Sequence, residues 1–590
     1  MSAHTPHLAD PEHQPSFTKG VFLGELREEF LFPFPEPTAE EQESLTAILD
    51  AFRAWASEHV DARKHDHDER FTDAVRAGMA ELGLMGLNIP EAYGGFGATA
   101  MQFNRVFGEI GATDPALAVY FGAHQSIGCK GITLFGTEAQ KQKWLTRCAT
   151  GELIAAFCLT EPGSGSDAQA MRSNAVLSAD GSHYILNGTK IWISNAGFAG
   201  VFTVFAKVAI EIDGKLKQRV TAFIVDAKAA GVSLGALEAK MGIKASDTRT
   251  VTFENVRVPV EDRLGDVGQG FKIALEILNS GRLGLASGSA RGTRRILDEA
   301  LAYAKQREQF GRPIVAFEIL RRKFATAAAD CYAADAAWMA TSGMVDRGGI
   351  DYSLETAACK IFASELAFHA SNDALQIAGG IGYSKEYPYE QSVRDSRINL
   401  IFEGTNEILR ALIALSGLQQ PGEQLKALGK AFKTPLASIG VIGSYLVGRA
   451  KKQVVKPKFT RLHPVLNEEG DLVENAIHDL ALAVESVLVA HGKDIIERQY
   501  LQERMANAAI DIFLATAALA RASAALTKAG GDETKAAWDL DCVRIFVPAA
   551  MRRARRAVRA LERNQDARLD ALVTRAIEQG TLAPPTALDG

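Results

Sequence analysis

The segment Leu400–Arg410, with the sequence LIFEGTNEILR, places one carboxylate between an apolar run and a glycine. A carboxylate in such surroundings is poorly hydrated, so its neutral form is favoured and we expect the pKa of Glu403 to rise toward the range useful to a general base. Gly404 would allow another molecule to approach the backbone. An ordinary helix start is the alternative, with Glu403 or Thr405 capping the helix that follows and the glycine forming a turn.

A second informative region is Phe157–Asp167, with the sequence FCLTEPGSGSD, followed by Leu186–Asn195, with the sequence LNGTKIWISN. The first is a loop rich in Pro, Gly and Ser, and the Asn-Gly pair of the second predicts a hairpin-like turn that leads into a strand carrying Trp192. Free amides and hydroxyls can hydrogen-bond a ring edge or a phosphate, and an aromatic side chain can cover a ring face. These segments therefore favour a site for a flat, anionic cofactor, with an ordinary surface loop beside a β-hairpin as the alternative.

Together with Glu403, these segments resemble the acyl-CoA dehydrogenase family, whose flavin loop is similar to TEPGSGSD and whose catalytic base lies in a segment similar to IFEGTNEI. Four further segments follow in the family's order and approximate spacing: Ile89–Gly95, Gly242–Ser246, Arg307–Gly311 and Gln376–Gly382. The resemblance covers residues from about 20 to about 420. The rest of the chain resembles the extra helical domain of the very-long-chain acyl-CoA dehydrogenase branch, and Gly122–Gly128 is likewise similar to that branch.

The resemblance implies a mainly α fold with a central β domain. This acyl-CoA dehydrogenase-like architecture has an N-terminal α domain, a β-sheet domain and a C-terminal four-helix bundle, here with an extra C-terminal helical domain. The expected divisions are an N-terminal arm at 1–37, an α-helical domain at 38–157, a β domain at 158–267, a helical bundle carrying the base at 268–420, a basic and apolar segment at 421–464, and an additional helical domain at 465–590.

Residue patterns lead to the same elements. Helical periodicity predicts bundle helices at Phe271–Gln306, Ile319–Val345 and Leu354–Ile377. Runs of β-branched and aromatic residues predict strands at Val201–Ala206 and Val220–Val225. We expect the pair Pro421-Gly422 to end the bundle.

The resemblance also implies a reaction, the FAD-dependent α,β-dehydrogenation of long- or very-long-chain fatty acyl-CoA to trans-2-enoyl-CoA, the first step of β-oxidation. Glu403 would take the α-proton, its own backbone N–H and a flavin hydroxyl would hold the thioester oxygen, and a hydride would pass to flavin N5. A lone carboxylate is too weak a base for this proton, so the developing enolate must be stabilised as the flavin accepts hydride. The implied partners are acyl-CoA and electron-transfer flavoprotein. Two alternatives stay open: an acyl-CoA oxidase that uses oxygen, and a non-catalytic assembly or binding paralogue.

Matching the family's motifs residue by residue assigns the rest of the site. The implied FAD-binding residues are Phe157, Leu159, Thr160, Gly165, Ser166, Trp192, Ser194, Arg307, Gln309, Phe310, Gln376, Gly380, Thr405 and Glu407. The implied substrate-binding residues are Ser166, Asn279, Arg282, Phe402 and Gly404. The members from Arg307 to Gly380 match positions that reach the cofactor of a neighbouring subunit, so a homo-oligomer is implied, with a dimer favoured. A solvated arginine is the alternative for Arg307, and structural ion pairing is the alternative for Asn279 and Arg282.

Two sequence features bear on acyl-chain length and on membranes. The small residues Gly122, Ala123, Ser126 and Gly128 could leave space in an acyl pocket, although tight helix packing uses the same residues. No acidic residue lies between Glu423 and Glu468, where nine Lys and Arg side chains surround the apolar stretch Leu436–Val447. That composition predicts a peripheral membrane segment, with a mobile linker or a buried connecting helix as alternatives.

Composition limits the remaining classes. A length of 590 residues suits roughly two to four domains, and a net charge of −6 argues against nucleic acid as a main partner. The six cysteines lack C-x-x-C spacing, which favours free thiols, and we interpret His65–Asp68 as solvated charges and expect no metal site. No uninterrupted apolar run approaches 18 residues, and the first ten residues resemble neither a secretion signal nor a transit peptide. We therefore expect a cytoplasmic protein at the inner face of the membrane, with the mitochondrial matrix left open as a location.

Overall fold

The computed structural model describes residues 14–431 and 455–582. The chain forms two compact units. The first contains Glu29–Leu409 and Ala517–Phe546, and the second contains Phe17–Glu28, Arg410–Thr516 and the residues from Val547 onward. The cofactor loop and the base segment up to Leu409 belong to the first unit.

The N-terminal part of the chain is helical, as predicted. After α1 (Phe17–Leu23), the helices are α2 (Ala39–His59), α3 (Ala62–Asp68), α4 (Asp73–Glu81), α5 (Ala100–Thr113), α6 (Pro115–Gly122), α7 (Lys130–Phe135) and α8 (Glu138–Ala149). Helices α2, α5 and α8 each begin with a threonine N-cap and a reciprocal Glu or Gln three residues later, which satisfies backbone donors at the helix start. A π-helix, Ala123–Gly128, joins α6 to α7.

The interpretation of His65–Asp68 as solvated charges was wrong for its first two residues. His65 is buried, and its Nδ1 lies 2.7 Å from Asp114 Oδ2. Asp66 pairs with Arg394 at 2.7 Å. Each of these two side chains has a polar partner within the first unit, so it can leave water, whereas His67 and Asp68 stay exposed.

The central β domain is built on one sheet. Its strands are β1 (Ile154–Cys158), β2 (Asn174–Leu177), β3 (His183–Ser194), β4 (Ala199–Ile212), β5 (Lys215–Asp226), β6 (Val232–Leu237), β7 (Thr248–Pro259) and β8 (Arg263–Leu264). They lie in the order β6-β7-β3-β2-β4-β5-β8, and β1 pairs in parallel with β4. The turn between β4 and β5 is Asp213-Gly214, whose φ angles of 54° and 70° suit a two-residue hairpin.

The Asn-Gly pair does not form the hairpin turn that we predicted. Asn187 and Gly188 lie inside β3, where the pairing with β7 shifts register between Leu186 and Gly188. A Cβ at Gly188 would lie 2.0 Å from Ser173 Oγ, so close approach of the neighbouring chain requires glycine here. The position does require a glycine, but this glycine marks a β-bulge and not the predicted turn.

The helical bundle follows the sheet. It contains α9 (Gly270–Gln306), a small hairpin of β9 (Glu308–Gln309) and β10 (Arg312–Pro313), α10 (Glu318–Arg347), α11 (Ser353–Ala378), α12 (Tyr389–Arg397) and α13 (Asn406–Ala431). The three long bundle helices agree with their predicted ranges to within two residues. The predicted end at Pro421 was wrong, because α13 continues through this proline to Ala431. Ile413, Ala414 and Leu418 are buried in the preceding turns, and this packing offsets the hydrogen bond that proline cannot make.

The second unit is helical. It contains α1, most of α13, and all or part of the helices Asn467–His491, Gln499–Lys528, Ala537–Glu562 and Asp566–Gln579. Helix Gln499–Lys528 is long and apolar enough to cross a membrane, but 83% of its apolar window is buried within the protein, as in a core helix. The apolar stretch Leu436–Val447 of the predicted membrane segment lies outside the described residues. All six cysteines are buried free thiols, as predicted.

Candidate active site

The base segment forms a strained turn held by two buried cations. Glu403 and Gly404 have φ angles of 59° and 93°, and the former conformation costs a residue with a side chain roughly 1–2 kcal/mol. Arg282 Nε donates to the backbone carbonyl of Glu403 at 3.1 Å, and Lys360 Nζ donates to that of Gly404 at 2.9 Å. The two cations, from α9 and α11, therefore fix the direction in which the Glu403 side chain leaves the backbone.

The Glu403 carboxylate borders a cavity yet is poorly hydrated. Its Oε2 atom is buried and has no hydrogen-bond partner among the described residues. A Cβ built on Gly281 would lie 2.8 Å from this oxygen, so the absence of a side chain on α9 makes room for the carboxylate. Burial raises the pKa of Glu403 to about 7, and the positive charges of Arg282 and Lys360 partly oppose that rise. The expected direction of the pKa change is confirmed.

Lys360 was not predicted from the sequence. Its side chain is 0% exposed, and Nζ also donates to Asn406 Oδ1 at 2.7 Å. Asn406 in turn donates to Ser364 Oγ and Glu365 Oε1, each at 3.1 Å. Burial lowers the pKa of Lys360 to about 7, while the nearby Glu403 carboxylate favours its charged form. A single lysine within the small and apolar run Ala357–Ala363 was the available signal, since a lone buried cation usually has a partner.

The alternative interpretation of this segment, a helix start capped by Glu403 or Thr405, is correct for Thr405. Thr405 Oγ1 accepts from the backbone N–H of Ile408 at 3.3 Å, so Thr405 caps α13. Glu407 is exposed in the first turn of the same helix. A helix start and a buried carboxylate thus coexist, because the cap is provided by the residue two positions after Glu403.

Glu403 and Phe402 line a cavity of about 900 Å³. Gly122, Ala123 and Ser126 line it, as the small-residue pattern predicted. Gly128 is not among the lining residues of the described chain; a Cβ there would lie 2.8 Å from that of Ala155, so this glycine serves close packing. The π-helix therefore has one side open to the cavity and one side packed on the sheet.

The loop after β1 and the irregular end of β3 lie side by side. The backbone N–H of Ile191 donates to Thr160 O at 2.9 Å. Trp192 has a φ of 60° at a second register shift of β3, and 57% of the residue is exposed. A Cβ at Gly165 would meet no atom of the described residues within 4 Å, and the neighbouring Ser166 is exposed. An open aromatic face thus stands next to open backbone and hydroxyl groups.

A buried ion pair beneath this loop also escaped prediction. Lys190 of β3 is 0% exposed, and its Nζ lies 2.7 Å from Glu161 Oε1 and 3.1 Å from Leu159 O. Glu161 also accepts from the backbone N–H groups of Arg172 and Ser173 at 2.5 and 3.0 Å. The acid of the TEPGSGSD segment is therefore a structural anchor, which joins the loop to β3 and to the start of β2.

Family models match four successive stretches of the chain. They are the acyl-CoA dehydrogenase N-terminal domain at 41–152, the middle domain at 156–256, the C-terminal domain at 268–418, and the ACAD9/ACADV C-terminal domain at 464–580. The mitochondrial very long-chain specific acyl-CoA dehydrogenase of Bos taurus is 42% identical over 524 residues, which are 87% of this chain and 79% of that protein. This chain belongs to the acyl-CoA dehydrogenase family.

Bacterial relatives support the same assignment. A probable acyl-CoA dehydrogenase of Bacillus subtilis is 35% identical and shares 83% of this chain and 82% of its own. The solved structure of an acyl-CoA dehydrogenase from Bacillus anthracis in complex with FAD has a TM-score of 0.76 and 32% identity, and it covers 92% of this chain and 91% of that chain. The protein is accordingly a flavoprotein oxidoreductase that dehydrogenates acyl-CoA in fatty acid oxidation.

The residues present fit FAD. The exposed Trp192 ring can cover a flat ring system, and the open loop at Gly165 and Ser166 can donate hydrogen bonds to its polar edge. Phe157 packs against Phe205 with ring centroids 5.1 Å apart, so its strand is firmly anchored beside the loop. Ser194 lines the same cavity as Glu403, and it therefore connects the cofactor loop region with the base.

Five of the FAD-binding residues implied by the resemblance are not part of the site that a single chain forms. Arg307, Gln309 and Phe310 lie on the exposed β9–β10 hairpin, and Phe310 is 94% exposed. Gln376 and Gly380 are exposed at the end of α11. None of the five is among the described residues that line the cavity. Asn279 and Arg282, by contrast, are joined by a 3.1 Å hydrogen bond beside the base.

Proposed function

We propose that Glu403 is the base that removes the α-proton of acyl-CoA. One observation carries the proposal: a carboxylate oxygen with no partner among the described residues, on a group whose pKa is raised to about 7, belongs to a residue that lines a cavity. A base whose pKa lies near the working pH is largely deprotonated and is still basic enough to accept the proton. Arg282 and Lys360 hold the turn, so the carboxylate is oriented before substrate arrives.

The backbone of the same turn would bind the thioester oxygen. The Glu403 N–H is the proposed donor, and Gly404 leaves the approach to it free of a side chain. Phe402 lines the cavity beside the base and would contact the acyl chain, while Asn279 and Arg282 would border the CoA arm. A negative charge that develops on the thioester oxygen would also benefit from the buried guanidinium of Arg282.

The proposed FAD contacts within one chain come from three regions. Phe157, Leu159, Thr160, Gly165 and Ser166 would hold the flavin on one side and Trp192 and Ser194 on the other, with Thr405 and Glu407 near the base. When bound, FAD supplies the hydride acceptor for the β-carbon. Electron-transfer flavoprotein is the proposed acceptor of the electrons afterwards, as fits the family.

Anaerobic titration with palmitoyl-CoA tests this function. We expect the flavin absorbance to bleach, and to return quickly with electron-transfer flavoprotein but slowly with air. Rapid return with air alone would instead support an oxidase. An unbleached flavin in a preparation with full FAD occupancy would contradict catalysis and support a binding paralogue.

We propose that the substrates are long- and very-long-chain acyl-CoA. The cavity follows one face of α9, which contributes Gly281, Leu285, Gly288, Gly292 and Glu299 among other residues. Gly281 and Glu299 are 18 positions apart, which corresponds to about 27 Å at 1.5 Å per residue. An extended chain advances roughly 1.2 Å per bond, by comparison with an extended backbone, so about 22 bonds fit. The very long-chain name of the Bos taurus relative supports this range, and kcat/KM over an acyl series from C4 to C20 tests it.

A homodimer is proposed, with Arg307, Gln309, Phe310, Gln376 and Gly380 reaching the partner subunit's cofactor. Phe310 is 94% exposed, and this supports the proposal, because a large exposed aromatic side chain on a hairpin tip is typical of an interface. Phe310→Arg should lower both the measured mass in light scattering and the FAD content. An unchanged mass would remove the hairpin from the interface.

Peripheral membrane association is proposed from composition alone, since Leu436–Val447 lies outside the described residues. Flotation with anionic liposomes should carry the wild-type protein but leave behind a variant that lacks residues 435–461. Equal flotation of both proteins would contradict the proposal.

A further inference from the structure

The cavity changes character along α9. Near Glu403 its wall is formed by small and apolar residues, whereas farther along it is lined by Ser289, Thr293 and Asn399. Asn399 Nδ2 donates to Ser289 Oγ at 3.3 Å, and Thr293 Oγ1 donates to Ser289 O at 2.7 Å. The Thr293 oxygen therefore retains lone pairs that can accept a hydrogen bond from a group inside the cavity.

The far end of the cavity also meets solvent. Its lining there includes Ser57, His59, Arg63 and Lys64, all of which are exposed. A purely aliphatic chain end would gain more from a closed apolar end, because burial away from water is what stabilises it. Polar groups in the wall and an open end are instead suited to a chain that carries a polar group at its tip.

The position of these groups selects a chain length. Thr293 lies 12 residues after Gly281, or about 18 Å along the helix. At roughly 1.2 Å per bond this distance corresponds to about 15 bonds from the α-carbon. The oxygen of a hydroxyl on C16 lies at that distance, so it would reach the level of the Thr293 hydroxyl.

We propose that this enzyme accepts acyl-CoA substrates whose ω-carbon carries a hydroxyl, with the Thr293 region as the subsite for that group. The inference rests on the proposed function, because it takes Glu403 as the position of the α-carbon. A neutral hydroxyl suits this part of the wall better than a carboxylate does, because Ser289, Thr293 and Asn399 supply no cation to balance a buried charge. Arg295 is paired with Glu299 at 3.4 Å, and Lys64 lies at the exposed end of the lining.

The test compares kcat/KM for palmitoyl-CoA, 16-hydroxypalmitoyl-CoA and hexadecanedioyl-CoA in one preparation, so that differences in flavin content cancel. We expect the hydroxylated substrate to be used within about threefold of palmitoyl-CoA, and the diacid to be used less well. A closed apolar pocket would discriminate against the added hydroxyl by roughly 10²-fold. Discrimination on that scale, or preference for the diacid, would overturn the proposal. Failure with palmitoyl-CoA as well would instead contradict the proposed function itself.

A matched set of variants locates the subsite. Thr293→Val keeps the shape and removes the hydroxyl, so it should lower the ratio of hydroxylated to plain substrate roughly five- to tenfold, as expected for one hydrogen bond. Thr293→Ser should restore the ratio. Thr341→Val removes a similarly buried helix hydroxyl, which contacts Ala337 O and Cys359 Sγ and is not among the described residues that line the cavity, and it controls for effects on packing. An unchanged ratio in Thr293→Val would exclude this subsite.

Discussion

Replacing Glu403 with glutamine separates the chemical role of this residue from the cost of burying it. The amide has nearly the shape of the carboxylate but cannot take a proton at neutral pH. We expect Glu403→Gln to retain FAD and to lose about 10²- to 10⁴-fold in turnover, the usual contribution of a positioned acid–base group. The measurement is the rate of anaerobic flavin bleaching by palmitoyl-CoA.

The same substitution should stabilise the fold at alkaline pH. Burial raises the pKa of Glu403 from its ordinary 4.5 to about 7. Below pH 4.5 the group is protonated in both states. Between pH 4.5 and about 7 the unfolded chain loses this proton while the folded protein keeps it, so stability falls as the pH rises. One pKa unit corresponds to about 1.4 kcal/mol, so the wild-type protein loses about 3 kcal/mol by pH 8.

Glutamine carries no charge and escapes this loss. Glu403→Gln should therefore melt a few degrees above wild type at pH 8.5, and the gap should shrink at pH 5, where the buried acid costs only about 1 kcal/mol. Glu423→Gln, at an exposed position in α13, is the control and should follow wild type at both pH values. Equal melting of Glu403→Gln and wild type at pH 8.5 would show that the carboxylate is well hydrated, and that would refute the reasoning for its role as a base.

Three more predictions concern the supports of the site. Lys360→Met removes a charge that lowers the pKa of Glu403, so the acidic limb of the pH profile of kcat/KM should move to higher pH; an unmoved limb would exclude this coupling. Lys190→Met leaves Glu161 buried without its cation and should cost about 3–5 kcal/mol in thermal unfolding, with partial recovery when Glu161→Gln is added. Thr405→Ala removes the α13 cap and should cost about 1 kcal/mol in denaturant unfolding, whereas a neutral effect would make the cap irrelevant to stability.

The sequence was sufficient for the features that depend on periodicity and on local chemistry. The long bundle helices, the strands β4 and β5 and the direction of the Glu403 pKa all follow from patterns within a few residues. What it missed depends on pairs that are distant along the chain. Lys360 lies 43 residues before Glu403, and its role emerges only when α11 packs beside the base segment. The Asn187-Gly188 bulge likewise depends on how closely Ser173 approaches.

The glycines of α9 set stability against cavity space in any engineering of this enzyme. Gly281, Gly284, Gly288 and Gly292 all lie within one continuous helix, where each glycine is about 1 kcal/mol less favourable than alanine. At Gly292 the one atom of the described residues within 4 Å of an added methyl group would be Gly111 O, at 3.8 Å, so alanine is sterically acceptable there. Selection for heat resistance would thus favour alanine at position 292. The same substitution would narrow the cavity for the longest acyl chains.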